Sequence, residues 1–259
     1  MTYPLYRTGT IAVVDGVSHA VSYAAGDNYV HFPQADGQRP TPHPRGELAG
    51  AVPVEMCERV FSVQVYASYR DHRVMVDTAF DNGTARVLEA EWDHEWATVN
   101  GFVQENSYEY YKNVDLRDLR EYAERQNDLL FTRWRAARFA RPVEGFPLHG
   151  GWPNGQAAVV TGRPRSGVLE TEGGRVAEVS TRAEYLGSSC EVAGITLDGS
   201  VGIYYLGTDF ERAEADGFRV DDALRWAKTV HVFDLARYHE MHRDLLFDQW
   251  RESRDSLAR

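Results

Sequence analysis

Apolar and polar positions alternate through much of the chain, and turn dipeptides separate the alternating runs. Within Arg59–Tyr69, Val63 and Val65 alternate with Gln64 and Tyr66, which gives a strand one apolar-rich face. In Val201–Leu206, strand-forming residues dominate. Asp15-Gly16 separates Ile11–Val14 from Val17–Tyr23, Asn82-Gly83 separates Arg73–Phe80 from Thr84–Ala90, and Asp198-Gly199 separates Cys190–Leu197 from Ser200–Leu206. Each of these dipeptides favours the positive φ values of a tight hairpin turn, and Gly173-Gly174 is a further signal of that kind. Asp93–Asn100 and Asp209–Asp216 begin with an acid, run through alanines and stop before glycine, which predicts a short capped helix in each place. Leu116, Leu119, Tyr122, Leu130 and Trp134 recur at spacings that fit one long amphipathic helix, as do Leu235, Tyr238, Leu245, Leu246 and Trp250. Arg141-Pro142 would end the first of these.

The two helical patterns are the same pattern, displaced by 116 residues. Asp118-Leu119, Tyr122, Glu124, Asp128–Phe131 and Trp134-Arg135 fall on Asp234-Leu235, Tyr238, Glu240, Asp244–Phe247 and Trp250-Arg251. Across residues 59–139 and 175–255, 25 of 81 positions are identical without a gap, far above chance, so the reading is an internal duplication. Further upstream the best match changes offset: Gly9 and Ile11–Val14 resemble Gly155 and Ala157–Val160, and Tyr3–Leu5 resembles Phe146–Leu148. The first copy therefore carries an insert at about residues 32–58. Its prolines and glycines (Pro33, Gly37, Pro40, Pro42, Pro44, Gly46) predict a surface loop.

The expected architecture is α+β: two tandem repeats, residues 1–141 and 142–259. Each is a small antiparallel sheet, SH3-like or curled, with a short helix and a long C-terminal amphipathic helix. Composition agrees with a globular chain, 43% hydrophobic and 26% charged. The net charge of −11 excludes a nucleic-acid partner, which requires a basic face, and disfavours an anionic membrane surface. No segment reaches the apolar length of a membrane span, and no apolar stretch follows Met1, so a cytoplasmic protein is expected. Cys57 and Cys190 occupy non-equivalent places in the two copies and imply free thiols.

The chemistry-bearing residues do not assemble into a catalytic motif. No nucleophile elbow, phosphate loop or dinucleotide glycine pattern is present. His239 and His242 lie three apart, which on a helix places both on one face where a divalent ion would fit, with His231 eight residues earlier. No third ligand is evident, and the first copy has Ala123 and Gln126 there, so the reading is a solvated helix face with no metal and no cofactor. Glu89, Glu91, Asp93 and Glu95 alternate as a general acid and base would need, but Asp93 and Glu95 recur as Asp209 and Glu211, which favours helix capping. Residues paired across the copies, such as Trp134 with Trp250 and Tyr110 with Trp226, are assigned to the core. Unpaired aromatics (Trp92, Trp96, Tyr108) are assigned to contact with a partner.

The acidic charge, the tandem sheet-plus-helix units and the segment from Asp198-Gly199-Ser200-Val201 through Tyr204–Gly207 to Ala213 and Gly217-Phe218 resemble immunity proteins of actinobacterial polymorphic toxin systems. The resemblance covers the 81-residue repeat. It implies a non-enzymatic inhibitor that occludes the active site of a cognate, basic toxin domain. The expected contact residues are Glu91, Trp92, Asp93, Glu95, Trp96, Tyr108, Asp221 and Asp222. The alternative is a small-molecule-binding protein or enzyme with its pocket between the two repeats.

Overall fold

The computed structural model describes residues 6–24, 27–33, 50–140, 166–171, 175–196 and 199–257. The first half contains β1 (Gly9–Val14), β2 (Val17–Val21), β3 (Tyr29–His31), β4 (Ala51–Pro53), β5 (Arg59–Tyr69), β6 (His72–Ala79) and β7 (Thr84–Glu89). It continues with α1 (His94–Val99), β8 (Val103–Gln104), β9 (Tyr110–Asp115), β10 (Leu119–Asp128) and α2 (Leu129–Ala140). The second half contains β11 (Ser166–Thr171), β12 (Arg175–Tyr185), β13 (Ser188–Ile195), β14 (Ser200–Tyr205) and α3 (Phe210–Ala215). It ends with β15 (Arg219–Val220), β16 (Trp226–His231), β17 (Leu235–Asp244) and α4 (Leu245–Leu257).

Fifteen strands form one antiparallel sheet in the order β15-β16-β14-β13-β12-β17-β10-β5-β6-β7-β9-β8, with the β1–β2 hairpin added to β5 and β11 to β12. β3 and β4 pair separately. The chain is mostly β, with four short helices among the described residues, so the expected α+β fold with long C-terminal amphipathic helices is overturned. The overturned portion is Leu119–Asp128 and Leu235–Asp244, which are central strands. Their helical spacing has a local cause. Glu121 and Arg237 are bulge residues at φ 51° and 49°, where the pairing with β5 and β12 shifts register. A bulge inserts one residue, so Leu119 and Tyr122, three apart, emerge on the same face of a strand. Helix begins only after Asp128 and Asp244, whose carboxylates accept from the amides of Phe131 at 2.8 Å and of Leu246 and Phe247 at 3.0 and 3.1 Å.

The register carries the 116-residue offset throughout. Leu119 pairs with Tyr69 and Leu235 with Tyr185; Asp128 pairs with Phe61 and Asp244 with Ala177. At the junction, Arg125 faces Met241, its own counterpart, and Ala123–Arg243 and Asn127–His239 flank that pair symmetrically. This is the pattern a two-fold axis through the β10–β17 ladder produces. Gly9 and Gly167, at φ 95° and 101°, face Val63 and Val179 in β5 and β12, so β11 holds the place of β1. Gly155–Val160, expected to match β1, lies outside the described residues, as do Tyr3–Leu5, Phe146–Leu148, Gly173-Gly174, Asp198 and the Arg141-Pro142 boundary.

Two apolar cores lie on the same face of the sheet. Val65, Tyr69, Val74, Val87, Leu119 and Tyr122 form the first, and Ala183, Val192, Ile203, Val230, Leu235 and Tyr238 the second. Each is closed by the helix of the other half: Phe247 and Trp250 of α4 pack on the first, Phe131 and Trp134 of α2 on the second. The insert also departs from expectation. Residues 34–49 lie outside the described residues, but Val52, Val54 and Cys57 are buried in a third apolar cluster with Val30, Val60 and Leu130. Among the described residues, no helix is long and apolar enough to cross a membrane.

Candidate functional site

The bulges divide β10 and β17 into two faces of opposite character. Tyr122, Glu124, Gln126 and Asp128 point toward the helices, as do Tyr238, Glu240, His242 and Asp244. Between the two apolar cores these side chains form a buried polar ladder. Arg7 donates to both oxygens of Glu124 at 2.7 Å, and Gln126 donates to Glu124 at 2.6 Å. Arg59 donates to Gln126 at 3.1 Å and lies 3.4 Å from Glu240, which bonds His242 at 2.8 Å. Hydrogen-bonded through Arg7, Glu124, Gln126, Arg59, Glu240 and His242, the ladder has the character of framework.

Among the described residues, the opposite face carries no helix. It holds Tyr66 and Ser68 of β5, Ala123, Arg125 and Asn127 of β10, His239, Met241 and Arg243 of β17, and Glu178, Ser180, Arg182 and Glu184 of β12. An open groove of about 910 Å³ crosses this face from Arg73 of β6 to Glu191 of β13, with the β10–β17 junction at its centre. At the 116-residue offset its side chains differ throughout: Arg73 corresponds to Ser189, Arg125 to Met241, Arg182 to Tyr66, Arg237 to Glu121 and His239 to Ala123. On the helix face of β10 and β17, Leu119, Tyr122, Glu124 and Asp128 are identical to their counterparts, and Gln126 and His242 differ.

Three of the groove's six carboxylates pair with arginines. Glu184 pairs with Arg237 at 3.0 Å, Glu178 with Arg243 at 3.4 Å and Glu191 with Arg225 at 2.6 Å. At the centre, the Arg125 Nε donates to Asn127 at 2.7 Å and the Arg182 Nε to Ser180 at 3.1 Å, while Arg73 lies over the Tyr66 ring at 4.2 Å. Burial holds the Arg125 and Arg182 guanidinium groups below the usual arginine range, and repulsion from Arg73 adds to this. His239 is 7% exposed, directly opposite Arg182 in the ladder, and its Nδ1 donates to the Arg237 carbonyl at 2.6 Å. Burial first, then Arg125, lowers its pKa to about 4. The imidazole is neutral at pH 7, with Nε2 as the acceptor.

The expected contact residues are not brought together. Glu91 lines the groove at its first-copy end. Beside it Trp92 and Tyr108 are 70% and 69% exposed and meet edge to face at 6.5 Å. Asp93 caps α1, accepting from the Trp96 amide at 2.9 Å, as Asp209 caps α3. Glu95 is exposed on α1. Trp96 is half-buried, stacked on His72 at 3.9 Å and packed against the first core. Asp221 and Asp222 sit at the opposite end of the sheet, beside β15, where Asp221 accepts from the amides of Ala223 and Arg225 at 2.9 Å. His239 and His242 are on a strand rather than a helix, so their three-residue spacing puts them on opposite faces of the sheet. The described residues contain no group of three His, Cys, Asp or Glu placed to hold a metal ion. The arginine cluster was missed because a helical reading of Leu119–Asp128 hides the alternation that separates its two faces.

No family model matches the chain, and no curated protein or solved structure matches it.

Proposed function

We propose that this chain is a non-catalytic protein-binding inhibitor of immunity type, and that it engages its partner protein through the open face of the central strands. The reading is carried by one observation: on the open face of the central strands the two halves differ, while on the helix face most positions agree. Side chains kept in both halves serve the fold that both halves share. Side chains that differ at equivalent, solvent-facing positions are available for recognition.

The dimensions favour a macromolecular partner. The groove runs over six neighbouring strands, β6-β5-β10-β17-β12-β13, which at the usual spacing of about 4.8 Å is roughly 24 Å across. That is the scale of a protein interface. Its lining is predominantly charged and polar, whereas small-molecule pockets are mostly apolar. Carboxylates at both ends, Asp71 and Glu91 on one side and Glu178, Glu184 and Glu191 on the other, offer contacts to a basic toxin domain, and Trp92 and Tyr108 extend the first-copy end. A pocket for a small molecule between the two halves is the second reading, favoured by the groove's position across their junction.

Co-expression with the product of the adjacent reading frame tests the proposal. A 1:1 complex is expected, lost on Arg125→Glu and retained on Asp222→Lys at the distal edge. Absence of any complex, or a complex indifferent to Arg125→Glu, counts against it.

A further inference from the structure

In a groove lined by six carboxylates and five arginines, three of the guanidinium groups, Arg73, Arg125 and Arg182, act together on one neutral imidazole, His239. Arg73, Arg125 and Arg182 make no ion pair among the described residues, and the carboxylates of β12 and β13 beside them, Glu184, Glu178 and Glu191, are engaged by Arg237, Arg243 and Arg225. Longer-range attraction reaches Arg125 from Glu184, and Arg182 from Glu191 and Glu178. Arg182 lies directly across from His239, and Arg125 one diagonal away, which places their side-chain roots within about 8 Å. Three guanidinium groups with no ion pair among the described residues repel one another, and the repulsion is relieved by an anion with several oxygens. The guanidinium fork matches such oxygens in pairs.

We propose that the centre of the groove is a binding site for a small oxyanion bearing two or more negative charges, held by Arg73, Arg125 and Arg182. Burial on β10 and β12 fixes the roots of Arg125 and Arg182, and their Nε groups are already oriented by Asn127 and Ser180, so their terminal nitrogens face the groove. Arg73 enters from β6, its plane set by Tyr66. The neutral His239 beneath them adds no charge but presents an acceptor, which suits a ligand that also carries a hydroxyl or a proton. The inference rests on the open face being the binding face, yet its test uses no protein partner, so either can fail while the other stands.

The test is calorimetric titration of the full chain with pyrophosphate and, separately, with citrate, against sodium chloride at matched ionic strength. Saturable 1:1 binding of at least one is expected, with a rise in Tm of about 5 °C at a hundredfold excess over Kd. Preference between the two distinguishes a phosphate from a polycarboxylate site. Arg182→Gln and the exposed Arg73→Gln each weaken binding at least tenfold, and Arg117→Gln, in the turn before β10, leaves it unchanged. In the unsubstituted protein the His239 ring signals move with the same saturation curve. Heats indistinguishable from chloride up to about 10 mM of either anion, an unmoved His239 signal, or equal affinity in the arginine variants overturns the proposal.

Discussion

The Tyr122 ring of β10 lies on the Phe247 ring of α4, centroids 4.6 Å apart and planes at 18°. Its counterpart at the 116-residue offset, Tyr238 of β17, lies on Phe131 of α2 at 5.1 Å and 22°. Each half thus closes its core with an aromatic residue from the other, and among the described residues neither core is lidded by the C-terminal helix of its own half. Phe247 is fully buried, so Phe247→Ala removes a large apolar contact and leaves a cavity, a loss of about 3–5 kcal/mol. Because α4 covers the first half's core, the loss is expected to lower the stability of both halves in one cooperative transition. Denaturant unfolding followed by hydrogen exchange at β5 and β12 checks this; two separate midpoints would show that the halves are independent.

The same exchange predicts the behaviour of a fragment. Residues 1–141 alone retain Leu119 and Tyr122 but lack Phe247 and Trp250, and expose the β10 edge that β17 otherwise covers. An unpaired central strand and an open core favour aggregation or dimerisation through that edge. The expected result is a fragment with collapsed amide dispersion or a symmetric dimer in which two β10 strands pair. A well-folded monomeric fragment would mean that the first core closes without the helix of the second half.

Two buried groups pull the pH dependence of stability in opposite directions. Burial raises the Asp128 carboxyl to about 7, despite its bond from the Phe131 amide, while burial lowers His239 to about 4. Between pH 4 and 7 the native Asp128 binds more protons than its unfolded form, so its contribution falls as pH rises. Between pH 4 and 6.5 the unfolded His239 binds more protons than the native form, so its contribution grows as pH rises. Each is worth about 3–4 kcal/mol over its window, and they offset in the wild-type chain. Asp128→Asn keeps a competent helix cap and removes one of the two. The variant is expected to gain stability at pH 7 and to lose it steadily on acidification through pH 6.5 to 4. A flat profile in the variant would remove His239 from this role.

Much of this architecture is legible in the sequence, and the part that is not has a physical reason. The turn dipeptides mark Asp15-Gly16 and Gly83 correctly because positive φ at 51°, 75° and 85° demands such residues. The caps at Asp93 and Asp209 are legible for the same reason: one acceptor oxygen at one position. Leu119–Asp128 was obscured because a bulge at Glu121 turned period two into a spacing of three. The repeat itself held the corrective signal. From 122 to 128 the two copies agree at 122, 124 and 128 and differ at 123, 125, 126 and 127, so every identity falls on one face of a strand and the opposite face has diverged throughout. The helix exchange leaves no local trace, since Phe131 and Phe247 are identical whichever core they fill.

The two thiols supply a check on burial that needs no substitution. Cys57 packs with Val52, Val54 and Val60, and Cys190 with Val192 and Ala183. Burial, with a smaller push from Glu55 at Cys57 and from Asp216 at Cys190, raises both to about 11. The thiolate is the reactive form, so neither thiol is expected to react with a disulfide reagent at pH 8 in the folded protein. Labelling should follow the unfolding rate. Rapid reaction of Cys57 in native conditions would mean that the region around β4 opens on its own.

The bulge at Glu121 can be tested against the alternative that Leu119 and Tyr122 merely sit near a flexible bend. Leu119 and Tyr122 are both fully buried in the first core, and the inserted residue at φ 51° is what lets both face it. Deleting Glu121 restores strict alternation, so one of the two must turn to the charged open face. Either outcome exposes a large apolar side chain and empties its place in the core, a loss of about 3–5 kcal/mol. Glu121→Gly keeps the extra residue and relieves the left-handed backbone, so its effect should stay within about 1 kcal/mol of wild type. The pair of measurements separates the count of residues from their identity. If the deletion unfolds at the wild-type denaturant concentration, the spacing of Leu119 and Tyr122 owes nothing to the bulge.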